Sequence, residues 1–128
     1  MAQRLRAGAS GYSFKEWKGG FYPAKIRPDA MLAYYADRLP TVEINSSFYA
    51  VPKLEVLQKW AAAVPAGFCF SIKAPGQITH KAQLRPEAAA ETLALFCTNL
   101  LALGDKCGPL LFQLPPHLKK DVARLRDF

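Results

Sequence analysis

The sequence has 128 residues, 51% hydrophobic and 21% charged, a composition typical of one globular domain rather than of a disordered or fibrous chain. The longest apolar run, residues 30–36, is seven residues long, far below the about 18 that a membrane span needs, so a soluble protein without a membrane partner is expected. The amino terminus has no apolar signal segment, which predicts a cytoplasmic location.

Seventeen Lys and Arg against ten Asp and Glu give a net charge of +7, which favours anionic partners without choosing among them. The three cysteines, Cys69, Cys97 and Cys107, have no C-x-x-C spacing and apolar neighbours, so buried reduced thiols are expected. The two histidines have no metal-ligand spacing, and no metal site is predicted.

Four short apolar segments alternate with four helix-like segments in the order β-α-β-α-β-α-β-α. The intervals between the apolar segments suit βα units, because hairpins return after far fewer residues. Parallel strands covered by helices are therefore expected. The predicted strands span residues 4–9, 41–45, 68–74 and 109–114.

The predicted helices follow from apolar stripes at helical spacing. The first spans residues 29–38, with Asp29 as its N-cap, and the second follows Pro52 and ends before Pro65. The third has Pro86 in its first turn and Gly104 as a left-handed terminator. The expected buried positions of the second and third helices are Leu54, Leu57, Ala61, Val64, Leu93, Phe96, Cys97 and Leu100.

The fourth predicted helix begins near Lys120 or Asp121 and has about two turns before Phe128. A helix that covers a parallel strand is usually longer. Residues 1–128 are therefore expected to form a single partial domain that stops inside an element.

Period-2 alternation in the predicted strands separates apolar from polar side chains. Glu43 and Asn45 point away from Val42 and Ile44, and Lys73 ends the third strand. The carboxyl ends of parallel strands meet at one edge, which is where α/β proteins bind ligands. The polar residues expected at this edge are Ser10, Glu43, Asn45, Lys73 and Gln113.

Structural and functional interpretations of these residues stay open. Glu43 and Lys73 either form a buried ion pair or act on a ligand, Glu43 as proton acceptor and Lys73 as anion-binding cation or amine nucleophile. Asn45 either binds a ligand or caps a turn. Gln113 either binds a ligand or forms hydrogen bonds with backbone groups of its loop. His80 is either a solvated loop side chain or a catalytic group. Protease, esterase and nucleotide-binding motifs are absent from the sequence.

The segment 10–23, after the first strand, combines five aromatic residues with Lys15 and Lys18. Such a loop can stack on bases while its lysines bind phosphates. The alternative is a loop that packs its aromatic side chains against one another.

Several distinctive motifs follow one another over nearly the whole chain. They are Gly8-Ala9-Ser10-Gly11-Tyr12, Trp17-Lys18-Gly19, Phe21-Tyr22-Pro23, Thr41-Val42-Glu43-Ile44-Asn45-Ser46-Ser47-Phe48-Tyr49, Phe70-Ser71-Ile72-Lys73-Ala74-Pro75, Ile78-Thr79-His80 and Phe112-Gln113-Leu114-Pro115-Pro116. Together, in this order, they resemble the YecE-like family, domain of unknown function 72. Tyr12 departs from the family's pattern, since a tryptophan is expected after the Ser-Gly pair.

The resemblance implies an α/β fold of the TIM-barrel (β/α)8 type, of which this chain supplies about the first four βα units, with a polar pocket at the carboxyl-terminal rim. It implies no particular reaction, and the cofactor is unknown. The family's motif positions fall on Ser10, Trp17, Glu43, Asn45, Ser46, Lys73, His80 and Gln113.

Three functional hypotheses follow. The first is an enzyme-like pocket for an anionic or carbonyl-bearing small molecule, with Glu43, Lys73 and His80 as catalytic residues and Ser10, Trp17, Asn45, Ser46 and Gln113 as ligand-binding residues. The second is nucleic-acid binding through the basic aromatic loop. The third is a chain without activity of its own, which self-associates through open sheet edges.

Overall fold

The computed structural model describes residues 4–128, in which four β-strands alternate with four α-helices along the chain. The strands are β1 (Gly8–Ala9), β2 (Thr41–Ile44), β3 (Cys69–Lys73) and β4 (Cys107–Leu111). The helices are α1 (Met31–Ala36), α2 (Leu54–Ala63), α3 (Pro86–Leu100) and α4 (Val122–Asp127).

The four strands are parallel and lie in the order β1-β2-β3-β4, as the alternation predicts. Parallel crossovers are almost always right-handed, so consecutive strands in sequential order direct their helices to one face of the sheet. Val42, Ile44, Phe70 and Ile72 are buried on that face, in one core with helical residues such as Tyr35 and Phe96. The other face of the sheet carries the half-buried residues Thr41, Glu43, Cys69, Ser71 and Lys73.

Close contact between β1 and β2 depends on a residue without a side chain and on a buried tyrosine. A Cβ atom on Gly8 would lie 2.0 Å from the carbonyl oxygen of Thr41. The Tyr35 hydroxyl accepts a hydrogen bond from the Ala9 N–H and donates one to the Thr41 carbonyl, both at 2.7 Å. Helix α1 is thereby tied to the two strands that flank it.

Strand β4 begins two residues earlier than predicted, at Cys107 instead of Pro109, and ends at Leu111. Cys107 pairs with Phe70 and Leu110 pairs with Ile72, which leaves Gly108 and Pro109 opposite Ser71. This irregularity is a β-bulge, where a proline without an N–H is tolerated inside a strand. The prediction that the strand starts at Pro109 is therefore wrong.

Strand β1 and helix α1 are also shorter than predicted. Residues 4–7 precede the paired part of β1. Asp29 does not cap α1, because it lies in a 3₁₀ turn (Pro28–Ala30) and pairs with Arg27. The turn replaces the expected cap by continuing directly into the helix.

Helices α2 and α3 follow their predicted stripes with two corrections. Leu57 and Phe96 are fully buried, but Leu54 is 44% exposed and Cys97 is also exposed. Both lie at the edge of an apolar stripe, where the other layer of the fold no longer covers the helix. Cys69 and Cys107 are only half-buried, so the prediction of three buried thiols is wrong.

The residues predicted to bound α3 and α4 lie at or near the ends of these helices. Pro86 occupies the first turn of α3, and beyond Leu100 the helix continues as a 3₁₀ segment in which Gly104 has a φ of 53°. The Asp121 side chain caps α4 by accepting a hydrogen bond from the Arg124 N–H at 2.9 Å. Across residues 4–128 the helices are too short or too polar to cross a membrane.

Candidate functional site

The carboxyl ends of β1, β2 and β3 place polar residues side by side at one edge of the sheet. Ser10 directly follows β1, Asn45 follows β2, and Lys73 is the last residue of β3. The Asn45 side-chain amide donates a hydrogen bond to the Ser10 carbonyl oxygen at 3.3 Å. The predicted grouping of these residues at the edge is thus present in the structure.

A cavity of about 250 Å³, called here the Glu43 cavity, opens at this edge. Tyr12 and Trp60 form part of its wall, and burial raises the pKa of the Tyr12 hydroxyl, while a hydrogen bond from the Trp60 side chain acts in the opposite direction. Four of the predicted site residues line the cavity: Ser10, Glu43, Asn45 and Ser46.

Glu43 and Ser10 also border a second depression, of about 410 Å³, on the sheet face opposite the helices. Thr41 and Ser71 contribute to it, and Glu43 is the register partner of Ser71 on β3. The Glu43 carboxylate therefore lies where the edge cavity and the open face of the sheet meet.

Lys73 lies diagonally across the strands from Glu43 on the same sheet face. It is two residues beyond Ser71, so strand geometry separates the Cα atoms of Glu43 and Lys73 by about 8 Å. The ion pairs of residues 4–128 are Arg27 with Asp29 and Arg124 with Asp121. Glu43 and Lys73 do not form the buried ion pair that the sequence left open.

The Lys73 ammonium lies 5.0 Å from the ring centre of Phe48, a cation–π distance. Phe48 belongs to a 3₁₀ turn (Ser46–Phe48) directly after β2. In the same turn, the buried Ser47 hydroxyl lies 3.0 Å from the Ile44 carbonyl oxygen and 2.6 Å from that of Lys73. Ser47 thereby fixes the end of β3 to the end of β2.

His80 opens into a different cavity, of about 390 Å³, which also contains Phe48 and Tyr49. Its Nδ1 atom is hydrogen-bonded to the Thr79 hydroxyl at 2.9 Å, and its ring meets the Phe48 ring at 85° with centres 4.9 Å apart. The Phe48 ring contacts both Lys73 and His80. The structure therefore brings His80 close to Lys73 but places it outside the Glu43 cavity.

Trp17, Lys73 and Gln113 do not line either of these two cavities. Trp17 lies in a 3₁₀ turn (Lys15–Trp17), half-buried among the rings of Phe14, Phe21 and Tyr22 at centre distances of 4.7 to 5.9 Å. Gln113 is exposed, two residues beyond β4.

The loop after β1 packs its aromatic side chains against one another. Tyr22 is buried, and this burial, with smaller contributions from Tyr35 and Tyr12, raises the pKa of its hydroxyl to about 12. Phe14 is 37% exposed and lies with Tyr12 on the wall of the Glu43 cavity. Nucleic-acid binding by this loop stays a prediction.

Sequence reasoning missed three residues that organise the site: Ser47, Tyr35 and Trp60. Tyr35 and Trp60 lie on apolar helical stripes, where a tyrosine hydroxyl or an indole N–H gives no periodic signal of its own. Ser47 follows Asn45 and Ser46, and that run of polar residues directly after a strand is a usable signal. In the described part of the chain, His, Cys, Asp and Glu side chains do not gather in groups of three that could hold a metal ion.

The four-stranded parallel unit with polar residues at its carboxyl edge has clear relatives. The model of the family described as "Protein of unknown function DUF72" matches residues 6–128. The chain therefore belongs to the DUF72 family. It is 31% identical over 112 residues to the UPF0759 protein YunF of Bacillus subtilis (strain 168) and 34% identical over 84 residues to the UPF0759 protein YecE of Escherichia coli (strain K12).

These matches cover 82% and 66% of this chain, but 40% of the Bacillus protein and 30% of the Escherichia protein. A crystal structure of a DUF72 family protein from Thermotoga maritima MSB8 superposes with a TM-score of 0.72 at 27% identity, over 95% of this chain and 51% of that one. One from Enterococcus faecalis V583 gives 0.65 at 27% identity, over 77% and 42%. The chain thus spans about half the length of these relatives or less.

Proposed function

We propose that the carboxyl edge of the sheet is one wall of a pocket for a small molecule with an anionic or carbonyl group. Lys73 binds that group, and Glu43 accepts a proton or a hydrogen bond from a neighbouring hydroxyl or amine of the ligand. The observation that carries the proposal is the placement of Glu43 and Lys73 on one sheet face without an ion pair between them.

Two opposite charges on one half-buried surface attract each other. Here the Lys73 ammonium is held near Phe48 instead. Because the carboxylate and the ammonium do not contact each other, a ligand can bind between them. A ligand with both an acceptor and a donor group would satisfy the two charges together.

The Glu43 cavity supports a polar ligand more specifically. Ser10 and Ser46 supply exposed hydroxyls, and Asn45 supplies an amide whose orientation is set by its hydrogen bond to Ser10. Tyr12 and Trp60 supply apolar surface, as small-molecule sites usually combine a few polar groups with aromatic walls. In this arrangement Ser10, Asn45 and Ser46 orient the ligand, while Glu43 and Lys73 act on its charged or reacting group.

We also propose that the sheet is the first half of a TIM-barrel (β/α)8 domain. Sequential parallel strands with helices on one face can curve into a closed barrel, whereas doubly wound sheets have helices on both faces. The face that carries Glu43 and Lys73 would then line the barrel interior, and further strands would complete the pocket. The extent of the match to longer relatives supports this proposal.

The test compares thermal stabilisation of this chain by a panel of hydroxy acids, keto acids and sugar phosphates. We expect at least one compound to raise the Tm of the wild type and of Lys59→Met, which changes an exposed lysine on α2, but not that of Lys73→Met. An equal ligand response in wild type and Lys73→Met would overturn the role of Lys73.

A further inference from the structure

The cavity beside His80, called here the His80 cavity, is separate from the proposed Glu43 pocket. Phe48 lines the His80 cavity but not the Glu43 cavity, and its ring has the Lys73 ammonium nearby and Tyr49 and His80 packed against it. A Cβ atom on Gly76 would lie 2.8 Å from Phe48 Cζ, so a side chain at position 76 would press against this ring. The Phe48 ring is therefore packed on several sides at the wall of the His80 cavity.

On the wall of the His80 cavity, the Phe48 ring is nearly perpendicular to the rings of both Tyr49 and His80. Tyr49 meets Phe48 at 88° with centres 5.3 Å apart, and His80 meets Phe48 at 85°. Tyr49 is 86% exposed, although it adjoins apolar Val51 and Pro75 in the same cavity. Faces and edges of this kind are the surfaces on which planar aromatic compounds bind.

The wall of this cavity carries basic side chains beside the hydroxyl of Tyr49. Lys81 and His80 line it, and no Asp or Glu is among the described residues that do so. The Thr79 hydroxyl is hydrogen-bonded to Nδ1 of His80. The other ring nitrogen, Nε2, is therefore left to contact a ligand. The electrostatics therefore favour a ligand with a negative group.

The backbone that presents His80 is irregular. A π-helical turn (Gln77–Lys81) places the histidine, and the next loop residues, Gln83 and Leu84, have φ values of 49° and 60°. Such conformations are disfavoured for residues other than glycine and are held only where surrounding packing determines them. Single π-turns occur frequently at functional sites.

We infer that the His80 cavity is a second binding site, for a planar aromatic ring that carries a carboxylate or phosphate. The ring packs against Tyr49 and Phe48, and the anionic group contacts Lys81 and His80. Its volume of about 390 Å³ suits a ligand with one or two fused rings. This inference does not depend on the proposed Glu43 pocket.

The test uses the imidazole proton resonances of the chain, which has two histidines. His117→Gln assigns the His80 signal. Benzoate and adenosine monophosphate are the two probes, and cyclohexanecarboxylate and benzamide are matched compounds that lack the aromatic ring or the charge. We expect saturable shifts of the His80 signal with at least one probe, at an affinity at least about tenfold above that of both matched compounds.

Tyr49→Ala and Lys81→Met should each weaken probe binding about tenfold, whereas Lys25→Met, at an exposed lysine elsewhere, should not. Saturation by benzoate alone assigns an aromatic acid, and by adenosine monophosphate alone a nucleotide. Probe binding retained in Lys73→Met keeps this site distinct from the Glu43 pocket. The inference is overturned if neither probe saturates the signal, or if cyclohexanecarboxylate binds as tightly as benzoate.

Discussion

Glu43 on β2 and Lys73 on β3 share one face of the sheet, two residues out of register, and do not pair. The Lys73 ammonium lies beside Phe48, and the Glu43 carboxylate lines the cavity at the sheet edge. The fold positions both charges through their strands and does not neutralise one with the other. This separation argues against a structural ion pair between the two residues.

The Tyr35 hydroxyl links β1 and β2, so its removal should destabilise the sheet. In Tyr35→Phe the Ala9 N–H and the Thr41 carbonyl lose their hydrogen bonds to it. We expect the free energy of unfolding to fall by about 1–3 kcal/mol. Urea denaturation measures the change. Tyr34→Phe, on the half-buried neighbour, should stay within about 0.5 kcal/mol of the wild type, and an equal loss in both variants would contradict the linking role.

Gly8 is required for the approach of β1 to β2. Gly8→Ala places a methyl group against the Thr41 carbonyl, whereas the nearest atom to a Cβ on Gly20 is 3.8 Å away. Both changes reduce the entropy of the unfolded chain similarly, so their difference isolates the clash. We expect Gly8→Ala to lower the Tm by several degrees and Gly20→Ala to leave it nearly unchanged. Matching Tm values for the two variants would rule out the close contact.

Buried tyrosines make the chain sensitive to alkaline pH. The folded pKa of Tyr22, about 12, lies above its ordinary value of 10.0, so the neutral hydroxyl is favoured in the folded state. Stability from this group is complete below pH 10 and is lost as the pH rises from 10 to 12. Tyr22→Phe should reduce the alkaline decline of the urea midpoint, leaving the part due to Tyr12 and Tyr35, whose pKa values burial also raises. A decline as steep as that of the wild type would refute this assignment.

We propose that β4 pairs with another copy when this chain is isolated. Within residues 4–128 it is the outer strand on one side of the sheet, and its last residue, Leu111, is 37% exposed. Unpaired strand edges are templates for association. Light scattering after size exclusion should show oligomers for the wild type and for Leu101→Lys, a change at a residue outside the sheet, but fewer for Leu111→Lys. A well-folded wild-type monomer would disprove edge pairing.

Local periodicity predicts the architecture well. The alternation in β2 correctly separates buried Val42 and Ile44 from half-buried Glu43, because side chains of a strand point to opposite faces in turn. It does not predict the bulge at Gly108 and Pro109, since that depends on pairing with a strand far away in sequence. Asp29 likewise has the right residue type for a cap, but the preceding 3₁₀ turn makes the cap unnecessary.

The sequence predicts which edge of the sheet carries the candidate site, but not which cavity each residue lines. Parallel strands bring Ser10, Asn45 and Lys73 to one edge, whatever the details of the loops. His80 lines a different cavity from Glu43, on a π-turn and against the Phe48 ring, and this ring contact joins residues far apart in the sequence. Trp17 matches a family motif, yet its ring packs inside its own loop.

A double-mutant cycle of unfolding free energy shows whether the fold uses Glu43 and Lys73 as a pair. Glu43→Gln, Lys73→Met and the double variant are compared with the wild type by urea denaturation in the absence of ligand. The predicted coupling energy is below about 0.5 kcal/mol, as for groups that do not interact. A coupling of about 2 kcal/mol or more, with both single variants strongly destabilised, would instead show that Glu43 and Lys73 form a structural ion pair.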